Sequence, residues 1–333
     1  MTGSPPFALP DVEPGLAASL QAGLAAVDDY LHDQVDHADP FIAEASGHLL
    51  AAGGKRFRPL LTLLAAHLGD GVTDEVVQAA AAVELTHLAS LYHDDVMDEA
   101  EVRRHVASAN AAYGNSIAIL VGDLLFGTAS AIVADLGPEA VKIQAQAFVR
   151  LCSGQIRDVR ACPDGADPVD YYLGVLADKT GVLIATAARY GAMFSGCDAG
   201  TAEIMRQYGE RLGVAFQLAD DLLDIASDGG TSGKQPGTDL REGVATLPVL
   251  YVRRAAAPAD AELLELLSRD LRVDDAGVAR ALELLRGHPA LGHAREETRR
   301  VANEARDLLR PLPDGPAVRA LAALASGVAD RSV

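Results

Sequence analysis

Ala, Leu and Val recur at helical spacing along most of the chain, interrupted by short Gly, Pro or Asp breaks, whereas alternating β-branched runs of strand length are almost absent. The pattern predicts an all-α protein. Helices are expected near 15–37, 40–52, 58–69, 73–99, 108–134, 138–161, 168–195, 199–227, 246–256, 259–269, 273–287, 289–310 and 314–330. Loops are expected at GGKR, EAEVRRHVAS, PDGADP and the Gly-rich segment Asp228–Gly237. Several middle helices exceed twenty residues and are nearly apolar around their circumference, so each should be enclosed by other helices. That implies a single large helical bundle. Residues 1–14 read as a flexible N-terminal arm and 15–333 as one domain, with a core at about 50–250 and a more charged, peripheral layer of helices at about 255–330. No repeat of fixed period and no linker long enough to separate domains is visible.

Composition and charge narrow the function classes. Of 333 residues, 49% are hydrophobic and 23% charged, which describes a chain with a large aliphatic core. Its 47 acidic against 28 basic residues give a net charge of −19, so nucleic acid and anionic membrane surfaces would be repelled at long range. Cys152, Cys162 and Cys197 cannot all pair and form no C-x-x-C pattern, which favours reduced thiols in the cytoplasm over a disulfide scaffold or a structural zinc site. The N-terminus, MTGSPPFALPDVEPG, lacks the charge and apolar run of a signal peptide. The most apolar stretch, SIAILVGDLLFG, is broken by Asp123 and two glycines, so no transmembrane segment is expected.

The strongest chemical signal is Asp94, Asp95 and Asp98 in HDDVMD, at the C-terminal end of a long apolar helix. Asp94 and Asp98 are i and i+4, with Cβ atoms ~5–6 Å apart on one helical face. Like charges at that spacing, at the negative end of the helix dipole, cost stability unless a cation sits between them. The pattern returns at Asp220, Asp221 and Asp224 in FQLADDLLD. One such motif alone reads more readily as a solvated acidic turn, but two at the polar ends of separate apolar helices can be brought to one mouth of a bundle. Carboxylate-only ligands suit Mg²⁺, which keeps waters and takes its remaining oxygens from phosphates, so the motifs predict a phosphorylated substrate. Cations accompany both motifs, in GGKRFRP, Arg103-Arg104, Lys179-Thr180 and Lys234, although any one of them alone reads as surface charge.

Together, GGKRFRP, HDDVMDEAEVRR, GQIRD, DKTG, FQLADDLLD and GKQPGTDLREG resemble the trans-isoprenyl diphosphate synthases, or polyprenyl synthetases, over roughly residues 50–250 and in that family's order. The resemblance implies the isoprenoid synthase type of bundle, with a central apolar cavity, and a homodimer. It implies that Asp94, Asp98 and Asp220, supported by Asp95, Asp221 and Asp224, hold several Mg²⁺ ions on the diphosphate of an allylic substrate. Arg103, Lys179 and Lys234 would contact that diphosphate. Lys55, Arg58, His87 and Arg104 would hold isopentenyl diphosphate, and Thr180 and Gln217 would line the reacting centre beside Lys179. Without the motif, His87 reads as a satisfied core histidine; His93 is given no catalytic role. The chain departs from the family pattern at His105, where Gly often follows the Arg pair, and at Thr238 and Val244, where many members have Lys.

The competing readings are a catalytically silent or regulatory subunit of a heteromeric prenyltransferase, which would usually lose acidic ligands, and a short-chain farnesyl or geranylgeranyl diphosphate synthase. A terpene cyclase would typically lack GGKRFRP and the second D-D-x-x-D. An HD-type phosphohydrolase would need further His ligands, and Gly229–Gln235 lacks the spacing, the Ser or Thr and the strand of a P-loop. In the family, a bulky aromatic four or five residues before the first motif stops product growth; here those positions are Ala89 and Ser90. One helical turn rises ~5.4 Å, close to one isoprene unit, so the missing plug predicts a medium- to long-chain product. Ala89→Phe should shorten that product in a sizing assay, and an unchanged length would place the growing chain elsewhere.

Overall fold

The computed structural model describes residues 12–227 and 236–330, so most of the expected N-terminal arm and of the Gly-rich segment lies outside the described residues. The elements run in chain order as α1 (Pro14–Val35), α2 (Pro40–Ala51), α3 (Phe57–Ala66), α4 (Asp74–Met97), β1 (Val102–Arg103), β2 (Val106–Ala107), α5 (Ala109–Tyr113), α6 (Asn115–Asp135), α7 (Pro138–Asp158) and α8 (Pro168–Leu176). A π-helical turn (Ala177–Gly181) leads into α9 (Val182–Phe194), α10 (Ala199–Ala226), α11 (Thr238–Glu242) and α12 (Leu247–Ala255). A 3-10 turn (Pro258–Asp260) then precedes α13 (Ala261–Leu266), α14 (Asp275–Arg286), α15 (Pro289–Leu308) and α16 (Pro316–Asp330).

Local chemistry explains most of the boundaries. Asp39 caps α2 through the Phe41 amide, Thr73 caps α4 through Val76, and Asp167 caps α8 through Val169 and Asp170, with Pro40 and Pro168 at first helical positions. The expected helix at 108–134 is two helices, because Gly114 takes φ 83° between α5 and α6. The expected helix at 168–195 is interrupted by the π-helical turn. The EAEVRRHVAS loop holds a two-stranded antiparallel hairpin, pairing Val102 with Ala107 and Arg103 with Val106.

The chain divides into two compact units. The first takes residues up to 149 with 183–209 and 311–323. Its centre is α3 and α4, and from Ala79 to Leu85 every residue of α4 is buried, as expected of an enclosed helix. By contrast, α6 buries Ala118, Val121, Leu125, Ala129 and Ile132 on one stripe and leaves Ile119, Leu120 and Leu124 exposed. The enclosure expected of several long middle helices is therefore one-sided at α6. This is the one helix among the described residues long and apolar enough to cross a membrane, but Asp123 sits mid-helix, and a charge there would cost ~3 kcal/mol in a bilayer.

The second unit takes residues 150–182, 210–310 and 324 onward. Here α12 packs on α8 and α15, and α13 packs on α14. The amphipathic α15 buries Ala290, Leu291, Ala294, Thr298, Val301, Ala302 and Ala305 on one stripe, while Arg300 pairs with Glu297 and Glu304 on its outer face.

In the first unit, Tyr92 pins α4 to α2. Its ring is buried, its hydroxyl donates to Ala45 O at 2.6 Å and accepts the Leu49 amide at 3.3 Å, and burial pushes its pKa up to about 12. Tyr92→Phe should lower stability by ~1 kcal/mol, visible as a fall of a few degrees in Tm. An unchanged Tm would mean that apolar packing alone holds α2.

Candidate active site

The first acidic motif ends α4 in the first unit. Asp98 caps the helix, its amide donating to Asp94 O at 2.8 Å, and is exposed; Asp94 is half-buried. Asp95 points elsewhere. It is fully buried, and its carboxylate accepts Arg103 Nε at 2.6 Å and the Ala109 amide at 3.3 Å. Asp95 thus orients Arg103, which the hairpin carries beside it.

Arg104 and His105 form the two-residue turn of that hairpin, at φ 53° and 66°. Left-handed backbone at a residue with a Cβ costs ~1–2 kcal/mol, which is why Gly is common at such positions. Hydrogen bonds from the Arg104 guanidinium to Leu49 O at 2.7 Å and to Gly53 O oppose that cost. The same contact explains Gly54: at φ 155°, its missing Cβ would lie 2.9 Å from the Arg104 guanidinium carbon.

A basic cluster gathers around this turn. Arg56 bridges Asp28 at 2.8 Å and the buried Glu84 at 3.5 Å. Burial, then the charges of Arg58, Arg104, Arg103 and Arg56, hold His87 well below its ordinary pKa, so it is a neutral imidazole. Burial lowers Arg58 to about 10 despite the opposing Glu84 carboxylate. Arg58 Nε is buried without a hydrogen-bond partner among the described residues, a donor suited to an incoming anion. The structure therefore brings Arg58, His87 and Arg104 together; Lys55 is exposed on the loop leading into α3.

The second motif lies in the second unit, on α10. Buried Asp221 accepts Gln217 Nε2 at 2.9 Å and the Tyr172 hydroxyl, and Gln217 Oε1 accepts Thr180 Oγ1 at 3.3 Å. Burial, aided by the charges of Asp220 and Asp224, raises Asp221 to about 6, against the two hydrogen bonds. Asp224 accepts the Thr238 and Asp239 amides at 3.1 and 3.0 Å and so holds the start of α11. Lys179 Nζ pairs with Asp158 at 2.7 Å, and Asp220 is half-buried. Thr180 and Gln217 are thus joined by a hydrogen bond, Lys179 precedes Thr180 in the chain, and Lys234 falls outside the described residues.

Sequence reasoning missed Glu84 and Tyr172. Glu84 left a signal, a lone acid within the apolar run AAAAVELTHL. Tyr172 left none, because its partner is 49 residues away.

No three His, Cys, Asp or Glu side chains among the described residues are gathered into a closed metal site. Asp94 and Asp98, one turn apart at the end of α4 and offering only carboxylate oxygens, suit a hard divalent ion that completes its shell with water and substrate oxygens.

The polyprenyl synthetase profile matches residues 39–285. The nonaprenyl diphosphate synthase of Mycobacterium tuberculosis is 48% identical over 309 residues, covering 92% of each chain. The chain belongs to the polyprenyl synthetase family. Two solved relatives share its all-helical fold. One is geranylgeranyl pyrophosphate synthase from Corynebacterium glutamicum, complexed with calcium and isoprenyl diphosphate (TM-score 0.86, 41% identity, 96% of this chain and 98% of that one). The other is a decaprenyl diphosphate synthase from Rhodobacter capsulatus (TM-score 0.87, 34% identity, 96% and 98%).

In this polyprenyl synthetase, Asp221 has an unusual pH signature. Its folded pKa, about 6, exceeds the ordinary 3.8, so the folded chain binds the proton more tightly and this group's contribution to stability grows as pH falls through 6. Tyr172→Phe removes a hydrogen bond to the charged form and should move the Asp221 midpoint further upward, as followed by carboxyl-carbon NMR. A midpoint that stays put or falls would show that the hydroxyl does not stabilise the carboxylate.

Proposed function

We propose that this chain condenses isopentenyl diphosphate with an allylic diphosphate and releases a medium- to long-chain all-trans polyprenyl diphosphate. It is a transferase of prenyl groups. The observation that carries this reading is the cation cluster of the first unit, where neutral His87, Arg104 and the unsatisfied Nε of Arg58 offer a diphosphate site. An enzyme that only ionised an allylic diphosphate would not need it. The small residues Ala89 and Ser90 and the likeness to a nonaprenyl diphosphate synthase support the longer product.

Residue by residue, Lys55, Arg58, His87 and Arg104 bind isopentenyl diphosphate, with His87 contributing a hydrogen bond rather than a charge. Arg103, fixed by Asp95, and Lys179 and Lys234 bind the allylic diphosphate. Asp94, Asp98 and Asp220 hold Mg²⁺ ions, while Asp95, Asp221 and Asp224 support them by orienting Arg103, Gln217 and the start of α11. The metal, when bound, supplies positive charge that neutralises the departing diphosphate. Thr180 and Gln217 present uncharged dipoles, which stabilise an allylic cation without trapping it. The isopentenyl double bond attacks that cation, and the departing diphosphate takes the proton lost afterwards, so no protein nucleophile is required.

Residues 15–333 act as one catalytic domain in this reading, and the protein works as a cytoplasmic homodimer. The three cysteines are free, which suits a reducing compartment. Ile119, Leu120 and Leu124 on α6, 43%, 60% and 41% exposed, give a second copy an apolar face to cover. Leu120→Glu should shift the protein toward monomer in size-exclusion chromatography, and an unchanged dimer would move the interface elsewhere.

Incubation with Mg²⁺, labelled isopentenyl diphosphate and primers of different lengths should yield a ladder ending beyond four isoprene units. No incorporation by the purified chain would favour the silent-subunit reading. Asp94→Ala and Asp220→Ala should each cut turnover by ~100-fold or more with helix content intact. Near-normal rates would reduce both clusters to solvated faces.

A further inference from the structure

The π-helical turn Ala177–Gly181 carries Lys179 and Thr180, and one face of α7 in the second unit is built to hold it. Arg150 Nε donates to Asp178 Oδ1 at 2.9 Å, and Arg157 Nη1 donates to Asp178 Oδ2 at 3.0 Å, so both carboxylate oxygens are held from a single helix. Between these arginines, at Gly154, a Cβ would lie 2.6 Å from the Lys179 amide nitrogen and 2.8 Å from the Asp178 carbonyl carbon. The glycine lets α7 touch the backbone of the turn. One position beyond Arg157, Asp158 receives Lys179 Nζ at 2.7 Å. Residues 150, 154, 157 and 158 share one helical face, and all four engage positions 178–179.

The arginines are themselves held. Arg150 also donates to Glu210 at 2.8 Å; burial alone would lower its pKa, but its bonds to Glu210 and Asp178 keep it above the ordinary value. The Arg157 guanidinium lies 4.9 Å from the Tyr171 ring centroid, and the Tyr171 hydroxyl donates to Arg157 O at 2.8 Å.

The geometry points to Arg150, Gly154, Arg157 and Asp178 as positioning residues that lock the π-helical register and so aim Lys179 and Thr180. This rests on the roles proposed for Lys179 and Thr180 in prenyl transfer. A π turn contains one residue more than the α-helix it interrupts, and its hydrogen bonds alone do not favour it. Rewinding to α-helix would rotate the side chains beyond the slipped residue by ~100° about the axis, turning Thr180 away from Gln217. Two arginines on one carboxylate oppose that slip, because Asp178 cannot rotate without breaking both bonds. The clamp therefore acts on the diphosphate and the cation through Lys179 and Thr180, and touches neither itself.

Two readouts on Asp178→Asn, Arg150→Leu and Arg157→Leu test this, and the single arginine variants keep the test intact should Asp178→Asn not fold. Amide hydrogen exchange needs no substrate, so it judges the clamp even where the unaltered chain transfers no prenyl group. Exchange across 177–181 should accelerate at least ~10-fold, with the rest of the chain unchanged. Steady-state kinetics should show kcat falling ~10- to 100-fold and the allylic KM rising, while the isopentenyl KM stays within about twofold. A merely structural role would lower Tm and the active fraction and leave both KM values alone. Unchanged exchange at 177–181 together with unchanged kcat in the folded variants would overturn the proposal.

Discussion

Like charges cannot be gathered on apolar helices unless opposite charge is built in among them. Four arginines, at 56, 58, 103 and 104, surround a single neutral histidine in the first unit. What makes that arrangement sustainable is a pair of buried carboxylates: Glu84 beside Arg56 and near Arg58 and Arg104, and Asp95 on Arg103. With the partly exposed Asp28 on Arg56, three carboxylates stand against four cations, and the proposed diphosphate site rests on the positive charge that remains. Burial sharpens the effect, because the lower local dielectric strengthens both the repulsion and the attraction that relieves it.

The apolar packing exists to hold these groups still. Because α4 is buried on all sides across its middle turns, its last turn is rigid, and Asp94, Asp95 and Asp98 leave it in fixed directions. Asp95 turns inward to orient an arginine, whereas Asp94 and Asp98 share another face. In the second unit Asp221 is likewise turned inward, toward Tyr172 and Gln217, and Asp224 secures the segment that follows. Each motif thus divides its carboxylates between those that hold neighbouring groups in place and those that lie nearer the surface. Positions set before the substrate arrives need no reorganisation as the leaving group develops charge, which is the main contribution a protein can make to ionising a carbon–oxygen bond.

Local irregularities fall at residues for which a substrate role is proposed. The left-handed turn at Arg104-His105 and the π-helical turn at Ala177–Gly181 both cost backbone energy, and both carry residues assigned to substrate. Each is held by side-chain bonds from elsewhere in its own unit, Arg104 to the carbonyls of Leu49 and Gly53, and Asp178 by two arginines. His105, a departure from the family pattern, is consistent with this: the turn keeps its shape without glycine because the preceding arginine is anchored.

Helix positions, most helix ends, both acidic motifs and the supply of nearby cations were legible in the chain itself. Those features depend on residues within one or two turns of each other: periodicity, a capping Asp or Thr, a proline at the first helical position. The split roles within each Asp trio, the π-helical turn, the hairpin and the exposed face of α6 were decided only by tertiary structure. Tyr172 meets Asp221 across 49 residues and Arg157 meets Asp178 across 21, so nothing in either local sequence announces the pairing. Local periodicity says which face of a helix is apolar, but only the neighbours that arrive from distant sequence determine which charge on that helix is covered and which is left for a ligand.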